Sequence, residues 1–179
     1  MIIDLKLMEK TAESFGFRLA NANEVGISVH LCEHLTGLET ASAVEALAVQ
    51  NVTGCSLWVY GNPISGFYYI MPLSADGEQA LRDGSFNPRT PAVEHLTCPA
   101  GDCAGLYIGI YAGATHEARK AIMTASAVIR MQLFGTVPCY ARGATEDGRR
   151  SMSSLGFSPV EGGLPELWGQ PALITCRVA

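Results

Sequence analysis

Between Ala104 and Phe157 the sequence leaves little freedom about what it becomes. Gly105 to Tyr111 (Gly-Leu-Tyr-Ile-Gly-Ile-Tyr) is an apolar, aromatic-rich run bounded by glycines, the signature of a buried strand. Thr115 stands where a helix N-cap belongs, with Glu117 in the first turn. Apolar residues then fall at Ala118, Ile122, Ala125, Ile129 and Leu133, steps of three and four that build one helical face. Gly135 ends that helix, and Val137 to Ala141 reads as the next strand. A second cap-like residue, Thr145, opens a short helix that closes on Leu155-Gly156-Phe157.

The rest of the chain supplies further elements. Asp4 to Ala20 has apolar residues at Leu5, Met8, Ala12, Phe15 and Leu19, which predicts an amphipathic helix. Val25 to Leu31 alternates and predicts a strand, and the alanine-rich run from Leu38 to Gln50 predicts a helix ending before Gly54. Cys55 to Tyr60 and Ile64 to Met71 flank Gly61-Asn62-Pro63 and predict a hairpin. Asp76 to Asp83 predicts a short helix, and Pro171 to Val178 a final strand. Gly84 to Cys103, rich in proline and glycine and without periodicity, reads as a long loop of the kind that forms either a binding lid or a surface excursion. Together these elements predict a mixed sheet with helices on both faces.

Composition narrows the function classes. With 179 residues, 48% of them hydrophobic and only 16% charged, one compact domain over 1–179 is expected and disorder is excluded. A net charge of −5 argues against nucleic acid as a partner, since phosphate binding needs a basic face. The N-terminus lacks the basic and apolar regions of a signal peptide, and no stretch is long enough to span a membrane. The cysteines, scattered through apolar runs, read as reduced core thiols, so a cytoplasmic protein with no membrane partner is expected.

The order of elements from Ala104 to Phe157 resembles the C-terminal half of the GCN5-related N-acetyltransferase (GNAT) superfamily: strand, cofactor-binding turn, long helix, strand, short helix, then a Leu-Gly-Phe step into the last hairpin. At the level of element order the resemblance runs over roughly residues 25–178. It implies the acyl-CoA N-acyltransferase fold and transfer of an acyl group from acetyl-CoA, or another acyl-CoA, to an amine. It also implies a cofactor site. Ile110, Tyr111 and Ala112 would hold pantetheine on the strand backbone, and Thr115, His116, Glu117, Ala118, Arg119, Lys120 and Ala121 would form the pyrophosphate turn. A helix N-terminus with free amides suits a pyrophosphate. The family's turn reads Gln/Arg-x-x-Gly-x-Gly/Ala; here His116, Arg119 and Ala121 occupy its three fixed places, and Ala121 alone matches. Arg119 and Lys120 sit near the positive end of the helix, a placement that a bound anion would explain.

The family's general acid is usually a tyrosine four residues before the glycine of Leu-Gly-Phe, and that place holds Met152. Glu94, His95, Cys139 and Tyr140 are the remaining acid–base candidates; none has a visible partner, so catalytic residues are unassigned. Arg142, Arg149 and Arg150 flank the short helix and read as solvated or as contacts to the coenzyme arm. His30-Leu-Cys-Glu33-His34 matches the H-x-x-E-H metallopeptidase pattern. It follows a strand-like run and approaches Gly37, and is read as accidental, as is the weak thiol pair Cys98 and Cys103; no metal is expected.

Two readings therefore stand: an acyl-CoA-dependent N-acetyltransferase acting on a small-molecule amine, and a non-catalytic GNAT-like module binding a ligand or a protein. A metal-dependent hydrolase through His30 and His34 comes third. Homodimerisation is compatible with either leading reading.

Overall fold

The computed structural model describes residues 1–37 and 39–174. Its strands are β1 (Phe17–Leu19), β2 (Leu57–Tyr60), β3 (Gly66–Leu73), β4 (Gly105–Gly113), β5 (Cys139–Arg142), β6 (Ser158–Pro159) and β7 (Leu167–Gln170). Its α-helices are α1 (Leu5–Ser14), α2 (Ala22–Thr36), α3 (Ala43–Thr53), α4 (Ala75–Asp83), α5 (His116–Gln132) and α6 (Glu146–Ser154). The strands form one sheet in the order β1-β2-β3-β4-β5-β7-β6. Every pairing is antiparallel except that of β4 with β5, which α5 joins as a crossover.

Side chains alternate across the sheet and feed two cores. On one side Trp58, Tyr68, Ile70 and Leu106 pack under α1 and α5, through Met8, Ile122, Ala125 and Ile129. On the other, Leu57, Phe67, Tyr69, Met71 and Tyr107 face α2, α3 and α4. The helices thus lie on both faces, as expected.

Local chemistry explains where the elements begin. Thr115 Oγ1 accepts from the Ala118 amide and Thr145 Oγ1 from Gly148, so both expected caps open their helices. The hairpin and the short helix at α4 also lie where the sequence places them. Between α4 and β4 the chain is largely irregular, with one 3-10 turn at Val93–His95 and a single bridge from Leu96 to Leu73.

Four boundaries differ from expectation. The expected strand Val25 to Leu31 is instead the middle of α2. Asn21 and Glu24 form a reciprocal capping box, and Val25, Ser28 and Cys32 turn inward at helical spacing while Ile27 is 53% exposed. A half-buried strand would have buried Val25, Ile27 and Val29 together, and the cap decides otherwise. The helix expected over Asp4 to Ala20 stops at Ser14, and Gly16, at φ 81°, turns the chain into β1. α3 starts later than expected, because Ser42 and Glu45 form a second capping box, and it runs on to the left-handed Gly54; Leu38 lies outside the described residues. The last strand is β7, ahead of Pro171, where Leu167–Gln170 pairs with β5. Residues 171–174 carry no strand, and the rest of the expected one, 175–178, lies outside the described residues.

Candidate functional site

The site begins with a disagreement in length between neighbouring strands. β4 is nine residues long, but its parallel register with β5 covers only Leu106↔Cys139, Tyr107↔Tyr140 and Ile108↔Ala141. Arg142, the next and last residue of β5, has no partner on β4, although like the rest of β5 it pairs with β7 on the other edge. From Gly109 to Gly113, β4 therefore runs on beyond β5, and among the described residues no strand occupies that edge. A bulge marks the point of parting: Tyr69 pairs with Ile110 but Ile70 with Ile108, so Gly109 is the extra residue. A Cβ on Gly109 would stand 2.8 Å from Tyr69 Cδ1, so glycine is what lets the Tyr69 ring lie against the strand.

The free edge of β4 leads directly to the start of α5. Gly113 brings the two together, since a Cβ there would stand 2.8 Å from the Arg119 amide nitrogen. Thr115 takes the Ala118 amide through its side chain, and the Arg119 amide donates to the Thr115 carbonyl. That leaves the amides of His116 and Glu117 without an acceptor among the described residues, at the positive end of a 17-residue helix. His116, Glu117, Arg119 and Lys120 are exposed and Ala118 is buried, with Ala121 half-buried behind it. The Arg119 guanidinium bends back to donate to the Gly113 carbonyl at 3.2 Å. The Tyr60 hydroxyl donates to the Glu117 carboxylate at 3.4 Å. Ile110, Tyr111 and Ala112 lie on the unpaired stretch of β4, so all ten residues expected at a cofactor site fall on one continuous ledge of strand and helix start.

The other half of the site was not foreseen. On the α2 and α3 face of the sheet lies a cavity of 390 Å³, and it meets β4 at Gly109 and Ile110. Leu57, Phe67, Tyr69, Met71 and Tyr107 line it from the sheet, and Ser28, Val29 and Cys32 from α2. Small residues at Ser28, Cys32 and Ala46 keep the helices from filling this space. Two ion pairs frame its mouth: Arg89 with Glu39 at 3.0 Å, and Arg142 with Glu166 at 3.9 Å. Arg149 also reaches Glu166, at 3.7 Å.

Glu166 has no sequence signal, yet it is placed with care. It is the one non-glycine residue at positive φ among the described residues, at 61°, a conformation that costs about 1–3 kcal/mol. Its carbonyl accepts from the Gly143 amide at 2.9 Å, and that bond holds it beside the end of β5. Glu166 and Glu39 are the two acidic residues of the cavity lining among the described residues.

Ser28, Thr36 and Thr40 bring hydroxyls to the lining, and the side chains of Tyr69 and Tyr107 complete it. Burial raises both above the ordinary 10 of a phenol, Tyr107 to about 12, with the Glu45 carboxylate adding to the effect at Tyr69. Both therefore stay protonated at neutral pH. The Tyr69 hydroxyl is buried without a hydrogen-bond partner, an arrangement that costs about 1–3 kcal/mol, and Tyr107 has no partner among the described residues.

The other sequence candidates fall elsewhere. Met152 is buried beside Gly143 and Phe157 and holds no proton to give. Cys139 sits inside the sheet, its thiol pushed up to about 12 by burial, so it is not a thiolate. The Tyr140 hydroxyl donates to Glu78, away from the cavity, and raises no prospect of exchange with a ligand there. Glu94 is exposed on the 3-10 turn and His95 stacks on Phe86, outside the cavity. His30 and His34 lie exposed on the outer face of α2, whose inner face carries Ser28 and Cys32. Cys98 and Cys103 are free thiols, one exposed and one buried. Of the three arginines around α6, Arg142 and Arg149 converge on Glu166, while Arg150 pairs with Asp147.

No family model and no curated relative matches the chain. Among solved structures it is similar to Ard1 from Thermoplasma volcanium, with a TM-score of 0.52 and 12% identity over 88% of this chain and 97% of that one. An acetyltransferase candidate from Staphylococcus aureus MU50 matches at TM-score 0.45 and 13% identity, over 86% of this chain and 94% of that one. The first likeness establishes the fold: a mixed seven-stranded sheet of the GNAT type, as the order of elements in the sequence implied.

Proposed function

We propose that this GNAT-fold protein transfers an acyl group from an acyl-CoA to a small primary amine. The observation that carries the reading is the free edge of β4 beyond Ile108, continuous with the unpartnered amides of His116 and Glu117 and meeting the cavity at Gly109. An extended thioester arm with amide groups is complementary to an unpaired strand edge. A pyrophosphate is complementary to the start of α5. The donor set fits in these two respects and departs in one, since Arg119 replaces the family's glycine. In this site its guanidinium folds onto Gly113 and puts a positive charge at the helix start.

In the reaction the amine nitrogen attacks the thioester carbonyl carbon. A carbon–nitrogen bond forms, the carbon–sulfur bond breaks, and the thiol leaves with a proton that the amine gives up. Glu166, at the cavity mouth beside the end of β5, is the carboxylate we assign to take that proton from the nitrogen and return it to the departing thiolate. Arg142 and Arg149 orient it through their ion pairs. The apolar wall of Leu57, Phe67 and Met71 excludes water from the thioester.

The rival reading, a non-catalytic binding module, is favoured by Met152 in place of a proton donor and by Arg119 in place of a glycine. Calorimetric titration with acetyl-CoA, followed by an assay for amine-dependent thiol release, separates the two. Acyl transfer predicts micromolar binding, about −8 kcal/mol, weakened when Arg119 and Lys120 are changed to Ala, and thiol release abolished in Glu166→Gln. Binding without release under a broad amine panel would favour the module. No heat at millimolar acetyl-CoA, from folded protein, would remove both the cofactor and the reaction.

A further inference from the structure

The charges around the cavity are unevenly matched. Arg89 and Glu39 close on each other one to one: the guanidinium meets the carboxylate at 3.0 Å and donates to the Glu39 carbonyl at 3.1 Å. At the end of β5 a single carboxylate, Glu166, faces two guanidinium groups, Arg142 at 3.9 Å and Arg149 at 3.7 Å. Both distances are too long for a hydrogen bond, and each arginine is held in place by the backbone instead. Arg142 Nε donates to the Pro165 carbonyl at 3.1 Å, and Arg149 donates to the Gly143 carbonyl at 2.7 Å. Each fork keeps further N–H donors with no acceptor among the described residues.

Arg142 lines the cavity, and its charge is felt on the wall: burial raises the Tyr107 phenol, and Arg142 pulls it the other way. It also stands one step past the Ile108↔Ala141 pair, where β4 parts from β5 at the Gly109 bulge. One positive charge is therefore in excess where the strands part. The rest of the lining adds no second excess, since Arg89 and Glu39 cancel and Ser28 and Thr40 bring hydroxyls among Val29, Phe67 and Met71.

We propose that Arg142 and Arg149 form a carboxylate site and that the acceptor is an α-amino acid, with its carboxylate on the two arginines, its amino group beside Glu166 and its side chain in the cavity. Calling the ligand an acceptor rests on the acyl-transfer reading; the carboxylate site stands or falls separately. One carbon separates the ammonium from the carboxylate in such a ligand, which suits a site where one anionic group adjoins two cationic ones. A guanidinium offers paired donors to both carboxylate oxygens, and an amine without the carboxylate leaves the excess charge unmet.

The test is calorimetric titration of the full chain at neutral pH, with no cofactor present, using L-glutamine, L-leucine and L-lysine, each against its α-amide. Wild type is compared with Arg142→Gln, Arg149→Gln, Arg142→Lys and Glu166→Gln, with circular dichroism melts to verify that each is folded. The expected result is that at least one amino acid binds wild type about tenfold more tightly than its amide. That ratio should fall toward parity in Arg142→Gln and in Arg149→Gln, and survive in part in Arg142→Lys, which keeps the charge without the fork. In Glu166→Gln it should widen, because the competing carboxylate is gone; arginines that served only to orient Glu166 would leave it unmoved. Equal binding of acid and amide to wild type would overturn the inference. So would a ratio that the arginine substitutions do not lower or that Glu166→Gln does not widen, or the absence of binding by any of these compounds. Tighter binding of succinyl-CoA than of acetyl-CoA, lost in Arg142→Gln while acid and amide bind equally, would give the arginines to the acyl group and overturn it too. Because the amino-acid titrations need no coenzyme, an acid-selective site in a chain that ignores acetyl-CoA would overturn the proposed reaction and leave this site standing. Acetyl-CoA binding without acid selectivity would do the reverse.

Discussion

The two faces of the sheet are cut from the same strands, yet one is filled and the other hollow. Along β3, Tyr68 and Ile70 turn to the α1 and α5 side while Tyr69 and Met71 turn to the α2 and α3 side. The strands supply large residues to both. The difference lies in the helices: α5 and α1 meet the sheet with Ile122, Ile129 and Met8, whereas α2 and α3 pack Val25 and Val49 on it but bring only Ser28, Cys32 and Ala46 to the cavity's inner wall. Large side chains close the first interface to the density of a protein interior, and small ones hold the second apart. The cavity is therefore written in the helices.

Substitutions should separate the faces by size of effect. Ile122→Ala, in the filled face, should cost about 2–5 kcal/mol and lower Tm by several degrees, because the vacated volume cannot collapse. Val29→Ala, on the cavity wall, should cost about 1 kcal/mol or less, since its side chain is only half-buried beside existing space. Equal losses in urea unfolding would show that the hollow face is packed as tightly as the filled one.

Alkaline pH tests both faces at once. Burial raises Tyr68 and Tyr111 on the filled face, and Tyr69 and Tyr107 on the hollow one, above the ordinary 10 of a phenol. The folded state then holds protons that the unfolded chain releases, so stability is full below pH 10 and declines as pH rises above it. Tyr107, raised only to about 12, should ionise first among the buried phenols. Absorbance at 295 nm should show it titrating before unfolding, and the signal should disappear in Tyr107→Phe. Simultaneous ionisation of all the phenols with unfolding would make the hollow face no more accessible than the filled one.

Smaller effects belong to the helix starts. Thr115→Ala should destabilise by about 1 kcal/mol through the lost cap, and should weaken any anion held by α5. Ser42→Ala should destabilise at neutral pH, by less as the solution turns acid. Hydrogen bonds from Ser42 hold Glu45 below the ordinary 4.5 of a glutamate, so that contribution is present above pH 4.5 and fades as pH falls through the lowered value. Acid titration of the variant should show a smaller loss of stability between pH 5 and 3 than wild type. An unchanged acid profile would leave the α3 cap without an energetic role.

What the sequence made legible follows the same division. β4, α5, β5 and α6 could be read because their signals are local: glycine-bounded apolar runs, Thr115 and Thr145 as caps, and helical spacing from Ala118 to Leu133. α2 was misread because Val25, Ile27, Val29 and Leu31 alternate, while the deciding feature, the Asn21–Glu24 box, is two residues whose meaning depends on each other. β1, three residues long, is too short to declare itself beside the helix before it. The stretch Ile110 to Ala121 was named through the family resemblance, which itself rests on the order strand, turn, long helix. The cavity was not, because Glu166, Arg89 and Tyr69 come from three separate segments and a hollow is defined by residues that are small. Glu166 sits in a Gly-Gly-Leu-Pro-Glu turn with no chemistry to mark it until β7 carries it to Arg142.

The most direct test of the central claim is to map backbone amides by NMR in the uniformly labelled full chain as acetyl-CoA is added. The account predicts saturable shifts concentrated at Gly109 to Gly113 and at His116 to Ala121, with the amides of His116 and Glu117 moving furthest. Shifts confined to other surfaces, or a spectrum unchanged at millimolar acetyl-CoA, would contradict it.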